Sequence, residues 1–120
     1  MKVYLTRDSV AAGDDAEAPH DVVFSVQAEF ALEKVLSSIV GLSYLPTVNG
    51  GATWTLSSLI PLAVFSQEWL QPKNLSSYPV NLNDLDFNDS TLKMHFSYHG
   101  QISPDIVLKV LERLRLKAVT

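Results

Sequence analysis

The chain contains no cysteine. That excludes a disulfide framework, a thiolate zinc site and a cysteine nucleophile. It also has no long apolar run. The most apolar stretch, Leu59 to Phe65, is broken by Pro61 and falls far short of the roughly 18 residues of a membrane span. The opening MKVYLTRD has no apolar core of signal-peptide length before Arg7 and Asp8, so a soluble cytoplasmic protein is expected. There is no G-x-S-x-G elbow, no Walker loop and no G-x-G-x-x-G, which removes the motif support for acyl transfer and nucleotide binding. Basic residues are few, 9 against 13 acids, and this balance argues against nucleic acid, whose phosphates require a concentrated positive face.

What the chain does have is one concentrated block of negative charge. Residues 8 to 21, DSVAAGDDAEAPHD, hold five acids and no lysine or arginine, and the rest of the chain nets +1. Gly13 and Pro19 oppose regular structure there, and Asp and Ser favour turns. A carboxylate cluster of this kind is either a solvated loop or a surface that steers a cationic partner. Asp8, Asp14, Asp15, Glu17 and Asp21 are therefore the candidate partner-binding residues. As calcium or magnesium donors they lack the EF-hand order, since Gly13 precedes the acids and no acid follows at the required distance. No metal and no cofactor is assigned, and divalent-cation binding by this loop stands as an alternative.

At 120 residues and 47% hydrophobic composition, the chain has apolar surface enough for one core and too little length for two, so residues 1–120 form a single domain. Lys2 to Thr6 and Asp21 to Ala28 read as strands around the acidic loop. In Phe30 to Val40 the period changes: Leu32, Val35, Leu36, Ile39 and Val40 fall at helical spacing, with Gly41 as the expected left-handed cap. Asn49-Gly50-Gly51 signals a hairpin between a strand at Tyr44 to Val48 and one at Ala52 to Leu56, and Leu59 to Gln67 adds a third strand. Glu68 to Asp89 reads as an irregular connector. Ser90 to His99 alternates, Leu92, Met94, Phe96 and Tyr98 on one side and Lys93, His95, Ser97 and His99 on the other. Ser103, Pro104 and Asp105 open a last helix in the order expected of cap, first residue and dipole partner. Its apolar stripe is Ile106, Val107, Val110, Leu111 and Leu114, and Lys109, Arg113, Arg115 and Lys117 load its C-terminal half. The expected class is α+β: a mainly antiparallel sheet of about five to six strands with two helices packed on one face.

The histidines invite a metal or acid–base reading, but on a strand His95 and His99 stand roughly 13 Å apart, too far to share one ion. They read as polar-face residues. Trp54, Trp69, Tyr44 and Tyr78 are candidate aromatic anchors for a partner or members of the core.

Two stretches, TRDSVAAGDDAEAPHD and GGATWTLSSLIPLAVFSQEW, together with the acidic, cysteine-free build, resemble the small immunity proteins of bacterial polymorphic and contact-dependent toxin systems. The resemblance implies cytoplasmic neutralisation of one cognate toxin, often a nuclease with a basic active site. It carries no defined functional residues. The reading is thus a non-catalytic binding protein with a basic protein partner, with neither nucleic acid nor membrane as target. The alternative is a homo-oligomeric structural or accessory domain, such as a homodimer, in which a sheet edge or an exposed apolar face makes the contact.

Overall fold

A computed structural model describes residues 1–10, 20–27, 30–75 and 80–119, with side chains through Leu114. Among the described residues there are seven strands: β1 (Lys2–Arg7), β2 (Asp21–Ser25), β3 (Thr53–Ser58), β4 (Ile60–Ser66), β5 (Lys73–Asn74), β6 (Phe87–Asn88) and β7 (Thr91–Tyr98). Helix α1 (Leu32–Leu42) follows β2, and α2 (Pro104–Val119) follows β7. The strands make one sheet in the order β2-β1-β7-β3-β4-β5, with β6 paired to β7. The α+β class expected from the elements is the class observed. The sheet is mixed, because β1 and β7 run parallel while the other pairs are antiparallel.

Register sorts the side chains onto two faces. Val3 stands beside Phe24 and Leu92, Leu5 beside Val22 and Met94, and Phe96 beside Leu56. These share a face with Trp54 and Phe65 and bury against Leu32, Val35, Leu36 and Ile39 of α1. Phe96 lies at the centre, its ring edge-on to Phe65 (centroids 4.8 Å apart) and near Trp54 and Tyr44. The other face carries Tyr4, Thr6, His95, Ser97 and Thr55, and among the described residues a helix covers only its β4 end, where Val64 and Leu75 meet Val107 of α2.

The two helices therefore lie on opposite faces, not on one. The reason is in β4: Leu62, Ala63, Val64 and Phe65 are all buried, and a strand with consecutive apolar residues needs cover on both sides.

Three further expectations change. Residues 44–48 are not a strand. The N–H and C=O of Val48 are taken by the Gln67 side chain, at 2.9 and 3.0 Å, and Pro46 has no donor to give a ladder. Asn49-Gly50 is still a turn, with Gly51 N–H donating to the Val48 carbonyl, but the hairpin is β3–β4, closed at Leu59. Helix α1 runs through Gly41, and Ser43 takes the left-handed cap position (φ 50). In α2, Val107 is buried and Leu111 partly so, while Ile106, Val110 and Leu114 remain exposed, because the helix touches the sheet along one narrow side.

Candidate functional site

The parallel β1–β7 pair places the start of the acidic segment against the polar face of β7. The backbone ladder reaches its last step where Asp8 N–H donates to the Phe96 carbonyl at 2.9 Å. Beyond that the chain leaves the sheet, and the N–H of Tyr98 donates instead to Asp8 Oδ2 at 2.9 Å. The carboxylate thus stands in for the missing strand. Its other oxygen, Oδ1, is 2.8 Å from His95 Nε2. The His95 Nδ1 lies 2.7 Å from Thr6 Oγ1, and that hydroxyl in turn donates to the Met94 carbonyl at 3.4 Å. Both ring nitrogens of His95 thereby have a hydrogen-bonding partner. Four residues further on, just past the end of β7, His99 Nε2 is 2.6 Å from Thr55 Oγ1.

The electrostatics follow from these contacts. Partial burial works to raise the Asp8 pKa, but the Tyr98 N–H, the His95 hydrogen bond and the charges of His95 and His99 outweigh it, and the carboxyl is held below 3.8. For His99, burial is the stronger influence and lowers its pKa below 6.5, against the opposing charge of Asp8. Beneath them Arg7 is buried at 4% exposure on the core face, with Nη1 donating to the Asp8 carbonyl at 3.0 Å.

The returning end of the segment is pinned at the same end of the sheet. Asp21 pairs in register with Thr6, and its carboxylate accepts from the Tyr4 hydroxyl at 3.3 Å. The Tyr44 hydroxyl reaches up from the core to the His20 carbonyl at 2.7 Å. Burial pushes the Tyr44 pKa up to about 12, so this hydroxyl remains a donor. Of the five predicted partner-binding residues, then, Asp8 and Asp21 sit at the two pinned ends, and Asp14, Asp15 and Glu17 lie outside the described residues.

The aromatic anchors divide differently. Trp54 and Tyr44 are core residues, 1% and 3% exposed; Tyr78 lies outside the described residues. Trp69 is half-buried and, with Leu45, Phe65, Leu70 and Pro72, lines a cleft of about 390 Å³ beyond the end of α1.

Thr6, His95 and Asp8 form a hydroxyl–imidazole–carboxylate chain, an order that activates nucleophiles when an oxyanion site faces the hydroxyl. Here Thr6 is the penultimate residue of β1, and neither the cleft at Trp69 nor the smaller one at Gly50 to Pro104 includes Thr6, His95 or Asp8. What the arrangement does is fix the ends of a charged segment. Among the described residues no group of three or more His, Asp or Glu side chains is placed to hold a metal ion, and no helix is long and apolar enough to cross a membrane.

Sequence reading missed Thr6, Arg7, Tyr98 and Thr55 as members of this cluster. The alternation of Ser90 to His99 put His95 on a polar face, but nothing in it says that the neighbour on that face is β1. No family model matches the chain, and no curated protein or solved structure is significantly similar to it.

Proposed function

We propose that this is a non-catalytic binding protein whose acidic segment, Asp8 to Asp21, docks and inhibits a basic protein partner, the class suggested by its sequence being a bacterial toxin. The observation that carries the reading is the pinning of both ends of a segment of net charge -5 to one end of the sheet. Asp8 is tied to β7 and Asp21 to β1. Anchoring both ends limits the freedom the segment loses on docking, so more of its charge attraction appears as affinity. The depressed pKa of Asp8 keeps that end ionised throughout the neutral range. Steering of this kind acts chiefly on association rate and weakens with salt.

The test is co-expression with the protein encoded beside this gene, then titration calorimetry of the purified pair at low and high salt. The expected result is a salt-sensitive complex that loses roughly tenfold or more in affinity when Asp14, Asp15 and Glu17 become Asn, Asn and Gln. Affinity unchanged by that triple substitution removes the loop from the interface.

A further inference from the structure

The two edges of the sheet are built differently. The β5 edge has two residues, Lys73 and Asn74, preceded by Pro72, and its shortness, lysine and proline all discourage further pairing. The β2 edge is five residues of regular register, DVVFS, with neither lysine, arginine nor proline and no bulge. Val23 is 54% exposed at its centre.

The ladder says which backbone groups face outward. Val26 N–H donates to the Met1 carbonyl, and the Met1 amine donates back, so Met1–Val26 is a hydrogen-bonded pair. Such pairs alternate along an antiparallel ladder. With the observed register, Val3–Phe24 and Leu5–Val22 are hydrogen-bonded too. The N–H and C=O groups of Asp21, Val23 and Ser25 therefore point away from β1, and no described residue pairs with β2 on that side.

We infer that β2 is a self-association edge, pairing antiparallel with β2 of a second copy about a twofold axis at Val23. Three observations select this occupant. The outward groups fall at Asp21, Val23 and Ser25, so a twofold at Val23 sets Val23 against Val23 of the second copy and Asp21 against its Ser25, every pair hydrogen-bonded. That self-complementarity is what an isologous contact requires. No like charges stand opposite each other. Finally, Lys2 lies beside Ser25 on the same face, so its ammonium reaches across the serine toward the second copy's Asp21, two strand spacings or roughly 10 Å away at the backbone. The charges of the row are complementary. A five-residue contact buries little area, so the dimer is weak and concentration-dependent.

Sedimentation equilibrium of the full chain alone tests this without any other partner, so its outcome is independent of toxin binding. The wild type is expected to approach twice its 13.3 kDa mass with rising concentration. Val23→Pro removes an outward donor while leaving the β1 ladder intact, and is expected to weaken dimerisation at least roughly tenfold. Lys2→Glu sets a carboxylate toward Asp21 of the second copy and weakens it likewise. Adding Asp21→Lys to Lys2→Glu restores the opposite-charge row and brings the constant back to within about threefold of wild type. This charge exchange decides the matter if Val23→Pro does not fold. A wild type that stays monomeric at about 100 µM overturns the inference and leaves the edge to extended segments of other proteins. So does a dimer that ignores both the proline and the charge exchange.

Discussion

The Nε2 atom of His95 lies 2.8 Å from Oδ1 of Asp8, although 87 positions separate the two residues in the chain. This contact ties the start of the acidic segment to the middle strand of the sheet. It also makes the stability of that end of the molecule dependent on pH.

Asp8 is held below 3.8 in the folded protein, so folding favours its ionised form. Its contribution is complete above the unfolded value and is lost as pH falls through the folded one. The carboxylate is 46% exposed, and solvent screening limits the contribution to about 0.5 kcal/mol. Urea unfolding of Asp8→Asn is expected to show that deficit at neutral pH and to converge with wild type below about pH 3. A deficit that persists at acid pH shows that the lost interaction does not depend on charge.

His99 behaves in the same direction for a different reason. Burial favours its neutral ring and lowers its pKa below 6.5. Between the folded and unfolded values the unfolded chain binds more protons, so stability is full above 6.5 and declines as pH falls below it. His99→Gln keeps a hydrogen-bonding group near Thr55 without a titrating one. The advantage of wild type over this variant, measured by urea unfolding, is expected to shrink between about pH 7.5 and 5. A constant difference across that range contradicts the assignment.

Adjacent residues at the β3–β4 turn are expected to respond with opposite signs. Ser58 is buried, donates to the Lys93 carbonyl at 2.7 Å and accepts from Asp86 N–H at 2.9 Å. Ser58→Ala strands both partners and is expected to cost about 1–3 kcal/mol. Leu59 is 74% exposed with φ 64, a conformation that leucine adopts only at a cost. Leu59→Asn is expected to stabilise by about 0.5 kcal/mol, since asparagine tolerates this region. Thermal unfolding of the two variants checks both signs.

The legible parts of the fold were those with a local cause. The strand at Lys2, the helix over Leu32 to Ile39, the alternation of β7 and the Ser103-Pro104-Asp105 opening of α2 follow from periodicity and capping. Residues 44–48 were misread because the competing partner of Val48, the side chain of Gln67, lies 19 positions away and leaves no local trace. Ile106, Val110 and Leu114 were read with the buried stripe of α2 because periodicity marks an apolar side but not how much of it a sheet will cover.

By itself the sequence determined the absence of thiol chemistry, the concentration of negative charge in residues 8–21, and the α+β class, because composition and short-range spacing suffice for these. The tertiary structure alone decided that β1 and β7 run side by side and parallel. It thereby decided that Thr6 and Asp8 meet His95, that helices pack on both faces, and that no described residue pairs with the outer side of β2. Each is a pairing between segments distant in the chain. Such pairings are chosen by the burial of the whole apolar set at once, which no window of sequence contains.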